Sequence, residues 1–409
     1  MKMLRNISTD SLCFCRAALA ALVAALLVVT PVLAEEEASL AFRGFGTLGA
    51  IQTSTDQAEF VRDLSQPSGA TNRLDGRVDS ILGLQANWRL TPELEAVVQV
   101  VSRYRYDKTY KPEISWAYLK YDPTPQVTLR AGRLGTEFFM TADSRQVGYS
   151  YLTVRPPGDF FWYLPFYSIN GADAALTVPL GEDVLRAKVY YGISEGNIPY
   201  GDKQWNLDGS AMIGGYLEHQ MGAWLLRASY ANIRFNHNMP IDGDLAAAVG
   251  AHLMTPSQAV QAYDYLAADN TRSHYYSLGA IYDSGPWQLQ FMLNKITQGS
   301  KIFQSSSAGY VLAGYRIGEI TPYLGFSWIR SETRKNPPSP LLAAIMDKSH
   351  ADQNTGIFGV RWDVARNVAL KAQWDAIRGE PKSGFPFRAE TNAWSGKMDV
   401  YSVTMDFVF

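Results

Sequence analysis

The sequence predicts an all-β fold: a transmembrane antiparallel β-barrel of about 16 strands, with short turns at one end and long loops at the other. Three observations carry this. Apolar and polar residues alternate with period two in segment after segment of the 409 residues, as strands with one apolar face require. The connections between those segments alternate short and long. Charged residues are only 19%, against about 25% in an average globular protein, while the chain holds 23 Tyr, 18 Phe and 10 Trp. A net charge of −2 leaves no basic surplus for nucleic acid. Aromatic residues along the whole length exclude disorder.

The chain opens with Lys2, Arg5 and Arg16, followed by an apolar stretch at 17–29 and then Thr30-Pro31-Val32-Leu33-Ala34. Val32 and Ala34 fit the small-residue pattern of a signal-peptidase site, and Glu35-Glu36-Glu37 ends the hydrophobicity. Thirteen apolar residues fall short of the ~20 that cross a bilayer as a helix. Residues 1–34 therefore read as a cleaved export signal and 35–409 as one barrel domain. Both cysteines, Cys13 and Cys15, precede the apolar run, so the mature chain has no thiol for a disulfide or a metal. Without Lys2, Arg5, Arg16 and Asp10 it carries 34 basic and 38 acidic residues.

At 94–106 one face reads Leu94, Ala96, Val98, Val100, Ser102, Tyr104, Tyr106, and the other Glu95, Val97, Gln99, Val101, Arg103, Arg105. A helix would mix these sets; a strand separates them. Sixteen such segments run at 39–52, 77–89, 94–106, 112–122, 127–135, 170–179, 184–194, 209–219, 223–235, 273–283, 286–296, 305–316, 319–331, 355–364, 367–378 and 397–409. Boundaries of this kind are good to a few residues, so fourteen or eighteen strands also fit. Short connections such as Leu90-Thr91-Pro92-Glu93, Ser284-Gly285 and Ala365-Arg366 face long ones at 53–76, 136–169, 195–208, 236–272, 332–354 and 379–396. A soluble sandwich has no reason to trim one end and elaborate the other, whereas a membrane barrel has short periplasmic turns and long extracellular loops. Hydrocarbon tolerates no open sheet edge, so first and last strands must meet. Trp88, Tyr121, Trp224, Trp287 and Trp362 beside short turns, and Tyr104, Trp328 and Trp374 toward long loops, suit the two bilayer interfaces.

In the last strand Tyr401, Val403, Met405, Phe407 and Phe409 alternate with Ser402, Thr404, Asp406 and Val408. This resembles the terminal strand by which Gram-negative outer-membrane β-barrel proteins are recognised for assembly. Phe42-Arg43-Gly44-Phe45-Gly46-Thr47-Leu48-Gly49-Ala50 is similar to the first strand of the porin-like family. The resemblance implies an outer-membrane location, surrounding outer-membrane lipid, the β-barrel assembly machinery as partner, and passive diffusion of small hydrophilic solutes, often through a homotrimer. It names no solute and no cofactor.

Other motifs carry less. Gly44-Phe45-Gly46-Thr47-Leu48-Gly49 matches a dinucleotide fingerprint, but that site needs a following helix, and the chain continues strand-like. His219, His237, His252, His274 and His350 show no metal-ligand spacing, and no serine is bracketed as in G-x-S-x-G. Neither an enzyme nor a metal is expected. Thr255-Pro256-Ser257-Gln258 reads as a capping box, predicting two short helices, at 244–253 and 259–268, inside the loop 236–272.

Charge on the inward faces should set selectivity. Arg103 and Arg105, Arg130 and Arg133, and Arg186 and Lys188 form a basic cluster over neighbouring strands, with Arg133 joining only if the strand bulges near Gly132 or ends there. The porin resemblance implies that the loop after the fifth strand, 136–169, folds inward and constricts the lumen. It carries Glu137, Asp143, Arg145, Arg155, Pro156-Pro157, Asp159 and the apolar run Phe160-Phe161-Trp162-Tyr163. The expectation is a pore with weak anion preference. The cluster could equally balance the inward acids, and a second reading is a barrel that sheathes a partner protein in an export or electron-transfer conduit.

Overall fold

The computed structural model describes residues 39–161, 164, 166–332, 339–347, 349–380 and 387–409. The export signal at 1–34, and Trp162 and Tyr163 of the apolar run, lie outside the described residues. Sixteen antiparallel strands close into a barrel. They are β1 Ser39–Thr53, β2 Ile81–Arg89, β3 Leu94–Arg103, β4 Glu113–Thr124, β5 Val127–Gly135, β6 Ser168–Leu180, β7 Asp183–Ser194, β8 Ala211–Met221, β9 Trp224–Arg234, β10 Arg272–Ser284, β11 Trp287–Gln298, β12 Ser306–Tyr315, β13 Ile320–Ser331, β14 Asp352–Ala365, β15 Val368–Gly379 and β16 Lys397–Val408. The strand order follows the chain, and β1 pairs with β16 from Phe45↔Val408 to Thr53↔Val400. All sixteen expected segments are strands. No described helix is long and apolar enough to cross a membrane; the strands do so.

Alternation explains which side chains face where. On β9, Trp224, Leu226, Ala228 and Tyr230 are exposed, whereas Ser229, Ala231 and Ile233 are buried inside. An Arg or Lys on the lipid face near the midplane would cost about 2–4 kcal/mol, which pins this phase. Tight turns hold the periplasmic end; Gly222 and Gly285 adopt φ of 54°, which a side chain would strain. Trp88, Tyr121, Trp224, Trp287 and Trp362 form a half-exposed girdle above these turns.

Two expected faces change near the loops. β3 stops at Arg103, so Tyr104 does not continue the outward face: it is buried, its hydroxyl 2.7 Å from that of Ser68. Arg105 likewise leaves the wall. β2 starts at Ile81 because the segment before it turns, with the Ser80 hydroxyl donating to the Gly76 carbonyl.

The G-x-G-x-x-G match has a packing explanation. A Cβ on Gly46 would collide with the Phe407 ring, and one on Gly44 with Phe409. Gly46 sits opposite Phe407 in the ladder that closes the barrel. Phe407 is consequently buried, while Tyr401 and Phe409 stay on the lipid face.

Of the long loops, 195–210 carries a small hairpin, Asn197–Tyr200 with Lys203–Asn206. The loop between β9 and β10 holds two helices, α1 Asp242–Gly250 and α2 Pro256–Tyr265. The capping box is formed: Gln258 N donates to Thr255 Oγ1 at 3.3 Å and Thr255 N to Gln258 Oε1 at 2.8 Å. A further helix, α3 Pro340–Asp347, lies in a loop for which the sequence predicted none.

Candidate functional site: the occupied lumen

The loop between β5 and β6 folds into the barrel. Thr136 and Phe166 close its base, the Thr136 hydroxyl donating to the Phe166 carbonyl at 2.9 Å. Beyond that base, Phe138, Phe139 and Phe160 are buried completely or nearly so. Phe138 stacks on Tyr275 of β10 (5.3 Å, 15°), and Phe160 meets Tyr310 of β12 edge-on at 5.3 Å. Each such ring removed from water stabilises by about 1.5–3 kcal/mol, which explains why so apolar a loop cannot stay in solvent.

The far end of the loop is fixed by charge. Arg155 donates to both oxygens of Asp79 (2.9 and 2.7 Å) and to Asp375 of β15 (2.7 Å), and also bonds Ser402 of β16. Lys371 Nζ donates to the carbonyls of Gly148 and Thr153 (2.7 and 3.1 Å) and pairs with Asp406 at 3.0 Å. Gly148 lies so close to Asp406 and Thr47 that a Cβ would overlap both side chains. Asp159 accepts from Ser327 (2.6 Å) and Gln353 (2.5 Å). Burial pushes its carboxyl above the ordinary range, with hydrogen bonds from Ser327, Thr355 and Gln353 opposing.

These contacts divide the lumen. Inward residues of β10 to β16 and β1, such as Tyr275, Met292, Tyr310, Ser327, Lys371, Asp406 and Thr47, are buried under the loop. On β2 to β9, Gln85, Asn87, Glu95, Tyr118, Lys120, Arg130, Arg186, Glu218 and Arg227 remain partly exposed on the inward face. Asp143 is an exposed residue of the loop, enclosed by the barrel wall. Desolvation by that wall pushes its carboxyl up, as does the charge of Glu137, while Arg227 and Lys188 oppose.

Three of the four cations Arg130, Lys188, Arg227 and Arg186 on this wall are paired. Arg130 holds Asp173 in a forked contact (Nε to Oδ2 3.0 Å, Nη2 to Oδ2 2.6 Å) and reaches Glu137 at 2.9 Å. Lys188 contacts the same two acids. Glu137 is held down to about 2: burial pushes it up, and the charges of Lys188, Arg130 and Arg227 outweigh that. Arg227 pairs with Glu218, its guanidinium 4.0 Å from the Tyr216 ring centroid. Arg186 has no carboxylate within salt-bridge distance among the described residues, and its cross-strand neighbour Glu218 is turned to Arg227.

The expected basic cluster is therefore dispersed. Arg130, Lys188 and Arg186 do share the wall. Arg103 and Arg145 instead sandwich the Tyr167 ring at 4.0 and 3.9 Å from its centroid, at the base of the loop. Arg103 also bonds Ser65 and Glu113, and Arg145 donates to the backbone carbonyls of Leu164 and Phe166. The Tyr167 hydroxyl bonds Asp63. Burial, then the charge of Asp63, pushes the phenol up to about 12. Arg105 is occupied by Glu113 and Asp107 beside the short loop after β3. Arg133 does not join, because the register runs unbroken through Gly132 and keeps it in the outward phase, 2.7 Å from Glu195. Arg155 lies across the lumen. Reasoning from sequence missed Asp173 and Asp63. Asp173 had a signal, an acid in the inward phase amid alanines; Asp63 had none, since it lies in a loop whose path only the fold reveals.

No protein-family model matches the chain, and no curated protein is similar to it in sequence. Solved structures are similar in fold. The outer-membrane expressed OmpT of Vibrio cholerae superposes with a TM-score of 0.55 at 13% identity, covering 93% of this chain and 100% of that one. An anion-selective porin from Comamonas acidovorans gives 0.55 at 15%, covering 91% and 100%. OmpF of Salmonella typhi, in complex with daunomycin, gives 0.56 at 12%, covering 92% and 99%.

Proposed function

We propose that this chain, which has the fold of the Gram-negative outer-membrane porins, is a passive outer-membrane channel for small hydrophilic solutes with weak anion preference. The observation that carries the reading is the half-filled lumen. One wall is sealed by the inward loop, and the other keeps a polar strip in which Arg130, Arg186 and Arg227 are partly exposed beside the buried Lys188, with Arg227 and Lys188 acting on the Asp143 carboxyl. Asp173, Glu137, Glu218 and Asp143 balance those four cations in number, so selectivity is weak. Its sign follows Arg186, whose charge no carboxylate covers locally, because permeation reads the field at the narrow section. Arg103 and Arg105, held by their own partners, contribute little. No covalent step or cofactor belongs to this reading. A lumen already occupied by its own loop argues against a sheath around a partner protein. Removal of residues 1–34 on export, recognition of the strand ending at Phe409 by the assembly machinery, and a homotrimer complete the proposal; an OmpT of Vibrio cholerae is described in a trimer form.

Planar-bilayer conductance with reversal potentials tests it. The wild type should conduct with slight anion preference. Arg186→Gln should move the reversal potential toward cations and Asp143→Asn toward anions. A barrel that is folded yet never conducts refutes the channel.

A further inference from the structure

Three chain segments that no spacing motif connects meet at the long-loop end of the barrel. Asp352 opens β14, and Glu380 follows the last residue of β15; the Glu380 amide donates to the Asp352 carbonyl at 3.1 Å. The ladder between these strands, which starts at Gln353 with Gly379, holds the two acids at one level. His350 lies just past α3, its amide donating to the Asp347 carbonyl at 2.9 Å. One nitrogen of the His350 ring and one oxygen from each of the two carboxylates lie within 4.8 Å of one another.

The hydrogen bonds behind the ring decide what it presents to the acids. Asp347 can only accept, so Gln304 Nε2 donates to its Oδ1 at 3.2 Å, and the Gln304 Oε1 is thereby turned to His350 Nδ1 at 2.8 Å. An oxygen acceptor at that position places the proton of a neutral ring on Nδ1 and leaves a lone pair on Nε2. Nε2 faces Glu380 Oε2 at 3.9 Å. A lone pair and a carboxylate repel unless a cation lies between them. The separation is too long for a hydrogen bond, yet it is within reach of two ligands that each stand ~2.0–2.2 Å from one zinc ion. The other end of the barrel shows the contrasting case, His219 Nε2 with Asp183 Oδ2 at 3.2 Å, an ordinary hydrogen-bond distance. Asp352 is oriented as well, its Oδ1 lying 3.1 Å from Arg330 Nη1. Bonds of this kind, made from outside the ligand set, hold metal-ligating imidazoles and carboxylates in place.

We propose that His350, Asp352 and Glu380 bind a divalent transition-metal ion of the zinc type, with Gln304 as the positioning residue behind the histidine. One imidazole with two carboxylates suits zinc, with water in the remaining position, whereas calcium and magnesium take all-oxygen shells. The largely exposed Glu380 side chain closes onto the ion by rotation. The ion ties the segment after α3 to the ends of β14 and β15, and so stiffens a loop whose Leu342, Ile345 and Met346 are already buried. None of this depends on conduction.

The test is Zn²⁺ binding to the full-length folded barrel in detergent, titrated against a chromophoric chelator and counted by native mass spectrometry. One Zn²⁺ should bind per chain and raise the thermal midpoint. His350→Gln, Asp352→Asn and Glu380→Gln should each weaken binding at least about tenfold, and Gln304→Met, which removes only the acceptor behind the ring, about tenfold. His219→Gln, which removes the other histidine–carboxylate pair, should bind as wild type. Heat-modifiable migration confirms that each variant is folded, and Glu380→Gln changes a side chain exposed enough to leave folding intact. Absence of bound zinc, an unchanged affinity in any of the first four variants, loss of binding in His219→Gln, or displacement of the zinc by Ca²⁺ or Mg²⁺ at equal concentration each overturns the proposal. Because the readout is binding to the folded barrel, a closed channel would leave the result intact, so the two readings fail separately.

Discussion

Replacing Arg155 by Met keeps the volume of the side chain and removes the cation that joins loop to wall. Arg155 and Asp79 are almost wholly buried, and Asp375 nearly so. Losing one partner of a buried pair costs about 3–5 kcal/mol, because a carboxylate is left without its counter-charge. Two compensations favour the lower figure: Arg62 remains 3.4 Å from Asp79, and Gln373 Nε2 still donates to Asp375 at 2.7 Å. The expected loss is about 3 kcal/mol in reversible urea unfolding from lipid vesicles. Adding Asp375→Asn removes one of the stranded charges, so the double variant should be less destabilised than the sum of the single ones by about 1–3 kcal/mol. The segment around Val154 should also loosen from Gln373, raising single-channel conductance. A loss under about 1 kcal/mol, with additive single effects and unchanged conductance, would refute the claim that this network holds the loop.

Two further outcomes follow from the same geometry. Asp143 is raised and Glu137 is held to about 2, so lowering the pH protonates Asp143 first and should shift the reversal potential toward anions. Asp143→Asn should abolish that shift, and its persistence would place the titrating group elsewhere. For stability the sign at Glu137 is the depressed case: its contribution is full above the ordinary glutamate value of about 4.3 and is lost as pH falls through about 2. At the barrel seam, Gly46→Leu should displace the Phe407 ring and lower the heat-modifiable folded fraction. Phe407→Ala should restore it in that background while lowering it alone; a double variant as poor as the worse single one would mean that Phe407 acts only as a recognition signal.

Strand positions were legible because period two is local and lipid enforces it at each outward residue. Even the capping box at Thr255 could be read, since its two bonds span three residues. Where the alternation ended, legibility ended too: Tyr104 and Arg105 continue a pattern on paper but leave the wall after Arg103. The site was half legible. Its loop and most of its charges could be named, yet their pairing could not, because partners such as Arg155 and Asp375 meet only through the closed fold. The basic cluster dispersed for the same reason: Tyr167 and Glu113 hold Arg103, and Glu113 and Asp107 hold Arg105. Phase gave the correct condition for Arg133, and the unbroken register through Gly132 decides against it.

The partners of Arg155 lie 76, 220 and 247 residues away along the chain, and Gly148 nestles against side chains from both β1 and β16. The part of the loop's resting surface shared by β1 and β16 is complete only when the first and last strands have joined. The contacts of Gly148 with both strands, and those of Arg155 with Asp79 and Ser402 together, therefore form with seam closure or after it. An incompletely zipped barrel would be a wide, leaky hole, so the step that completes the wall is also the step that permits the hole to be narrowed.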